Sequence, residues 1–371
     1  MNRWISREPA LDGLRGLAIL WVIPHNSDVF LAEKNWVWPF AVVAHTGWIG
    51  VQLFFVLSGF LITGKLLDTR NASNYYSVFY GRRILRIFPL YFLTLIGFLL
   101  VLPHFVELPS EILASYRHQV WLWVFLNNWA QAHGNSVYWF THFWSLAIEE
   151  QFYVVWPFVV AWLSGSRLLW FCAITIALAC LARIAMLASG ADSQAVYLLT
   201  ITRMDALAFG ALAAIALRSD AFVQAIRARR ALLLWSALTL LAGCGLLTHV
   251  YDTTRALTIT GGYTILAAGL SVIVLLAALE TAQGVLTNPV LRTVGKYSFA
   301  MYVFHIPISL CLQDPLLAIL KPIGSAYPLI YSVCIGVLSF AAAVLSYHLV
   351  EKHFLGLKYL FEPRSTPGRA S

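Results

Sequence analysis

Residues 11–26 read LDGLRGLAILWVIPHN, an apolar run with Arg15 near its start and His25 near its end. An ionisable side chain at the centre of a bilayer costs on the order of 3 kcal/mol on insertion scales and more on others, so it faces a bundle interior or a wet cavity and marks a site. Read as a membrane span, this run makes His25 the reactive centre of such a site.

The rest of the chain supports the membrane reading. Of 371 residues, 60% are hydrophobic and only 11% charged, against roughly 25% charged in soluble domains. The mean hydropathy is +0.75. A net charge of +8 could suggest nucleic acid, but the basic residues sit in short loops between apolar runs, where the positive-inside rule accounts for them. The cysteines, Cys172, Cys180, Cys244, Cys311 and Cys334, lie in apolar runs without a CxxC pair. They indicate neither a zinc site nor a disulfide framework. No small-residue cleavage site follows the basic start, and further apolar runs do, so the N-terminus is expected to be retained.

The expected fold is all-α, a bundle of about ten transmembrane helices, each needing roughly 20 apolar residues to cross a core about 30 Å thick. The runs lie near 11–31, 47–67, 84–103, 143–164, 167–188, 201–218, 231–249, 258–279, 297–317 and 326–350. Residues 120–130 are too few to span, and Trp121, Trp123 and Trp129 suit an interfacial helix. With a cytoplasmic N-terminus, Arg3, Arg7, Lys65, Arg70, Arg82, Arg83, Arg167, Arg227, Arg229, Arg230, Arg292 and Lys296 fall inside. Only Lys34, Arg117, Arg255 and Lys321 fall outside. An even number of spans returns Lys352, Lys358, Arg364 and Arg369 to the cytoplasm. Residues 1–361 are expected to form one membrane domain, and the Pro- and Ser-rich tail 362–371 to be disordered.

The polar groups in the runs fall into two poles. At 1.5 Å per residue, His25 lies roughly 21 Å above the cytoplasmic start of its span, and Glu149 and Glu150 lie roughly 9 Å below the outer surface. These three are expected to share a depth. Arg203 and Asp205 enter from the same side, whereas Arg82, Arg83 and Arg86 cluster at the cytoplasmic end beside Arg15. Arg83 and Arg86 stand three apart, so their guanidinium groups share a helix face and can jointly clamp a polyphosphate. Each residue also has a plainer reading. A lone intramembrane His hydrogen-bonds neighbouring helices, Arg82 alone serves equally as a topology anchor, and Glu149 or Glu150 serves equally as an ion-pair partner of Arg203 or Arg183. His305 lies between the poles and is read equally as packing or as chemistry.

The stretches LDGLRGLAILWVIPH, GWIGVQLFFVLSGFLIT, RRILRIFPLYF, HFWSLAIEEQFY, RMDALAFGALAA and GKYSFAMYVFHIPI resemble, in order and over nearly the whole chain, the membrane acyltransferase-3 family of O-acyltransferases. The resemblance implies a multi-pass protein of the cell membrane, the inner membrane in a bacterium. It implies transfer of an acyl group, commonly acetyl, from cytoplasmic acyl-CoA to a hydroxyl of a carbohydrate or similar acceptor. The only cofactor implied is that co-substrate; neither a metal nor a nucleic-acid partner is. Arg15 and His25 match the family's first-span Arg and His, and Arg83 and Arg86 match its RxxR pair. Some relatives carry a fused extracytoplasmic hydrolase-like domain, and none is expected here.

The chain departs from the family in one place: it has one residue fewer between Arg15 and His25, so Asn26 stands where the family's His is expected. One residue on a regular helix is a rotation of about 100°. Pro24 removes the backbone bond to the Leu20 carbonyl and kinks the helix just before His25, which can restore the aim. His45, His142 and His305 are the reserve positions. On this reading the basic pole holds the donor's phosphates and the pantetheine arm rises between the helices. His25 then serves as general base or as acyl carrier. Glu149 or Glu150 would orient its ring, and Ser145 or Arg203 would support the developing oxyanion. Asp12 is excluded as its direct partner by about 19 Å of helix. A transporter or flippase of a polyanionic or glycan substrate remains the alternative, although the two related halves common in transporters are not evident.

Overall fold

The computed structural model describes residues 9–27, 29, 40, 44–249, 251–279 and 284–364. Arg3, Arg7, Lys34, Arg369 and the tail beyond Arg364 lie outside the described residues. Among the described residues every element is helical and no strand forms. We number the long helices in chain order: α1 Pro9–His25, α2 Trp48–Thr69, α3 Tyr75–Leu95, α4 Trp144–Trp162, α5 Ser166–Ala188, α6 Met204–Ala216, α7 Arg230–Leu247, α8 Tyr263–Ala278, α9 Pro289–Leu320 and α10 Tyr327–Ser346. Each expected apolar run coincides with one of them. The short helices Val120–Trp123 and Asn127–Ala132 occupy the expected interfacial segment, with Trp121 and Trp129 exposed.

Among the described residues, seven helical segments are long and apolar enough to cross a membrane: those built on α2, α3, α5, α7, α8, α9 and α10. An eighth arises when α6 and the following helix Asp220–Ala228, bent by 103°, are taken together. The other two are atypical for reasons visible in the sequence. α1 has 17 residues, short of the roughly 20 that a hydrocarbon core demands. α4 carries Glu149, Glu150 and Gln151 in its middle. The outer helices present large apolar side chains to the surroundings, Trp170 of α5 and Trp235 of α7 among them. This is the inside-out pattern of a multi-pass membrane protein, in which backbone polar groups are satisfied within helices.

Close crossings hold the inner helices. On α1 and α9, a Cβ at Gly16 would collide with the Leu291 carbonyl, and one at Gly295 with the Asp12 carbonyl. Gly59 of α2 and Gly210 of α6 meet the Leu207 and Val56 carbonyls in the same way. Lipid tails supply no hydrophobic drive between helices, so small residues that let backbones approach do the packing. The α1–α9 crossing places Arg15 beside Lys296, and both line one cavity.

The chain after α10 continues through Tyr347–Glu351, Lys352–Gly356 and Leu357–Phe361 as one bent helical strap. The Phe361 ring sits directly on Gly81 of α3, and Arg82 Nε donates to the Phe361 carbonyl at 2.8 Å. Asn74 donates to the Glu362 carbonyl at 2.8 Å and accepts from the Arg364 amide at 2.9 Å. Glu362 to Arg364, the start of the segment expected to be disordered, are therefore held against α3. The Asn74 amide satisfies two of their backbone groups, which composition cannot reveal.

Candidate active site

Two chambers meet at one end of the bundle. The wider, about 400 Å³, is lined by Arg15, Lys65, Arg83, Arg86, Lys296 and Lys358 against only two carboxylates, Asp12 and Glu351. The narrower, about 90 Å³, is lined by Ser58, Ser145, Glu149, Glu150, Tyr153 and Tyr302 and shares Arg15, Arg83 and Arg86 with the first. These three arginines thus stand at the junction. Arg15 is paired with Asp12 at 3.3 Å. Arg83 and Arg86 form no ion pair or hydrogen bond with a described residue; the Arg83 guanidinium lies 5.1 Å from the Tyr153 ring centroid. Guanidinium groups that face a cavity outside any close ion pair are suited to bidentate recognition of phosphate.

The narrow chamber is polar along one wall. Ser58 Oγ donates to Glu149 Oε1 at 2.6 Å, and the Tyr153 hydroxyl lies 3.2 Å from Ser58 Oγ and 3.3 Å from Glu149 Oε2. Glu150 faces the same space and makes no hydrogen bond to a described residue. At the far end the Tyr302 hydroxyl donates to the His142 carbonyl at 2.8 Å and lies 2.7 Å from Ser145 Oγ. With the Tyr302 proton committed to a carbonyl, Ser145 is the donor between the two hydroxyls.

Beyond Tyr302 the contacts continue toward α1. The His142 ring centroid lies 5.2 Å from that of Tyr302 and 4.8 Å from that of His305. His305 Nδ1 is 2.7 Å from the Tyr302 carbonyl and Nε2 is 2.9 Å from Asn26 Nδ2. A carbonyl only accepts, so Nδ1 carries a proton, and Nε2 accepts from the Asn26 amide. His142, Tyr302, His305 and Asn26 form a packed layer between the narrow chamber and His25.

His25 belongs to a separate cavity of about 360 Å³ at the opposite end, shared with His45, Trp48, Asp192, Tyr197, Thr253 and Thr254. His25 Nδ1 lies 3.1 Å from the Ala44 carbonyl. That acceptor places the proton on Nδ1 and makes Nε2 the unprotonated ring nitrogen.

The structure therefore divides the expected site residues. It brings Arg15, Arg83, Arg86, Glu149, Glu150 and Ser145 together, and keeps His25 with His45 in the other cavity. Glu149 is hydrogen-bonded to Ser58 and Tyr153, not to His25, contrary to the expectation from shared depth. The cause is the 3-10 segment Tyr138–Phe143, whose Trp139, Phe140, His142 and Phe143 are already buried where α4 begins. Counting from a surface start placed these carboxylates too far outward. Arg183 and Asp205 form a fully buried ion pair at 2.9 Å between α5 and α6, which removes Arg183 as a partner for Glu149. Arg203 donates to Gln52 Oε1 at 2.7 Å inside a cage that includes the Tyr197 and Tyr263 rings, at 4.6 and 4.5 Å. It lines none of these cavities.

Sequence reasoning missed Lys296, Lys358 and Glu351 in the wide chamber and Ser58, Tyr153 and Tyr302 in the narrow one. Two signals were present: Tyr153 lies one helical turn after Glu149, and Tyr302 lies three residues before His305. The lysines read as topology charges because they stand near the ends of apolar runs.

Helices of these lengths and this apolarity define a multi-pass membrane protein. The chain belongs to the acyltransferase-3 family, whose model, described as an acyltransferase domain, matches residues 8–348. It is 29% identical over 335 residues to the peptidoglycan O-acetyltransferase OatA of Listeria monocytogenes, covering 85% of this chain and 51% of that protein. It is likewise 29% identical over 372 residues to the putative peptidoglycan O-acetyltransferase YrhL of Bacillus subtilis, covering 93% of this chain and 54% of that one. The O-acetyltransferase OatA of Staphylococcus aureus is 31% identical over 170 residues, 42% of this chain and 25% of that protein. The chain thus spans about half the length of the first two of these relatives. No solved structure matches it significantly.

Proposed function

We propose that this chain is a membrane O-acyltransferase that takes an acyl group, acetyl on the analogy of its relatives, from acyl-CoA and delivers it to a glycan hydroxyl. The observation that carries this reading is the pair Arg83 and Arg86, in no close ion pair among the described residues and at the junction of a wide basic chamber with a narrow polar one. In this reading ten helices span the cell membrane, both termini are cytoplasmic and the basic chamber opens to the cytoplasm. That follows from the loop charges. Peptidoglycan, the acceptor named for the relatives, is the first acceptor to test. The named activities of those relatives favour transfer over transport.

The donor's phosphates rest on Arg15, Arg83 and Arg86, and the pantetheine arm enters the narrow chamber toward Tyr302. His25 Nε2 takes the proton of the acceptor hydroxyl as its oxygen attacks the thioester carbonyl. The carbon–sulfur bond breaks, the ester forms, and the sulfur leaves as a thiol with a proton from the Glu149–Glu150 pair. Ser145 and Tyr302 border the space where an oxyanion develops and support it by turning their hydroxyl protons toward it from their resting partners. The layer of His142, Tyr302, His305 and Asn26 must open for donor and His25 to meet. Alternatively, His25 crosses that layer as the acyl carrier, its Nε2 first taking the acyl group from sulfur and then releasing it to the hydroxyl oxygen.

The test uses the chain in proteoliposomes with labelled acetyl-CoA, followed by mass spectrometry of envelope glycans from cells with and without the gene. Ester-linked label on a glycan, lost with the gene, is the expected result. Intact substrate moved across the vesicle membrane with no new ester would overturn the proposal.

A further inference from the structure

The basic chamber holds more positive charge than a pyrophosphate needs. Arg15, Arg83 and Arg86 line both chambers, whereas Lys358 lines only the wide one. Lys358 makes no ion pair or hydrogen bond with a described residue. It is also the one lining cation delivered by the C-terminal strap. That strap is fastened immediately after it: Phe361 packs on Gly81, Arg82 holds the Phe361 carbonyl at 2.8 Å, and Asn74 holds the backbone of Glu362 and Arg364. Arg82 does not line either chamber, so its part is to set where the strap lies.

The chemistry of the donor orders its anionic groups along the cavity. A coenzyme A thioester carries its pyrophosphate next to the pantetheine arm and a separate phosphate monoester on the ribose 3′ oxygen. With the arm in the narrow chamber, the pyrophosphate falls at the three junction arginines and the ribose lies farther out, in the wide chamber. We propose that Lys358, positioned by the strap and its Arg82 anchor, binds the ribose 3′-phosphate and makes the protein select coenzyme A thioesters over donors lacking that group. This rests on reading the basic chamber as the donor site. Lys358 is a specificity-determining residue and Arg82 a positioning residue.

The experiment compares acetyl-CoA with acetyl-3′-dephospho-CoA as donors for the full chain in proteoliposomes. The wild type is expected to show a KM about tenfold higher for the dephospho donor, the scale of one charge-assisted contact. Lys358→Ala raises the KM for acetyl-CoA and brings the ratio of the two KM values close to one, with kcat retained. Lys358→Arg keeps the ratio, and Arg82→Ala lowers it by freeing the strap. Arg86→Ala raises both KM values and preserves the ratio. A wild-type ratio near one, or an equal rise for both donors in Lys358→Ala, overturns the inference while leaving the acyltransferase reading in place. A wild type that uses neither thioester overturns that reading and the inference with it.

Discussion

The two ends of this bundle treat polar groups in opposite ways. At one end six basic side chains surround a chamber with two carboxylates, and Arg83 and Arg86 stand in no close ion pair among the described residues. At the other end a cavity of similar size holds His25, His45, Asp192, Thr253 and Thr254 and has no Lys or Arg in its lining. On the proposed reading the first takes the phosphate-bearing donor and the second the polyhydroxyl acceptor. Buried charge of the purely structural kind is found in neither. Arg183 and Asp205 neutralise each other at 2.9 Å with no exposure, and Arg203 is wrapped in aromatic rings. Charge left over at a cavity wall, more than charge in a membrane span as such, separates a ligand site from a structural tie.

The largest test of this contrast is His25→Ala. Loss of a general base typically costs 10²- to 10⁴-fold in rate, so transfer is expected to disappear while acetyl-CoA still binds with wild-type affinity. Activity above about a tenth of wild type would move the chemistry to His142 or His305 and leave the second cavity without a role. Next in size is Asp205→Ala, which strands Arg183. Removing one partner of a buried pair costs about 3–5 kcal/mol of stability, read as a fall in melting temperature in detergent. The surviving fraction should keep its donor KM, because the pair touches neither chamber.

Smaller effects are expected within the contact layers. Arg86→Ala removes a contact worth about 1.5–3 kcal/mol and should raise donor KM roughly 10- to 100-fold at unchanged expression, with a weaker salt dependence than wild type. Donor kinetics equal to wild type in both Arg83→Ala and Arg86→Ala would dissolve the contrast between the ends. The smallest change is Asn26→Ala, which leaves His305 Nε2 without its donor. It should slow transfer about fivefold, in keeping with a neutral hydrogen bond of about 1 kcal/mol, and a loss as large as that of His25→Ala would make Asn26 and His305 the reacting pair.

The helices themselves were legible from the apolar runs, because a segment of about 20 apolar residues has few alternatives in a bilayer. The gathering of Arg15, Arg83 and Arg86 at one pole was legible too, as Arg83 and Arg86 share a helix face by spacing alone. The partners across helices were not. Spacing gives the direction of a side chain about its own axis, but not which neighbour meets it. Glu149 was assigned to His25 by depth and lies instead with Ser58 and Tyr153, because α4 starts below the surface. Lys358 could be counted as a loop charge and nothing more until the strap folded back on α3.

What the sequence by itself determined is an all-helical membrane chain, its family, and a basic pole rich in arginine; these depend on composition and on periodicity within single helices. Which residues face one another was decided only by the tertiary structure. Helix crossings at Gly16, Gly59, Gly210 and Gly295 set the distances between elements far apart in the chain, and those distances separate His25 from the carboxylates and join Arg15 to Arg83 and Arg86. The physical reason is that hydrogen bonds and ion pairs act over about 3–4 Å, a scale that rotation and depth along one helix cannot specify for two.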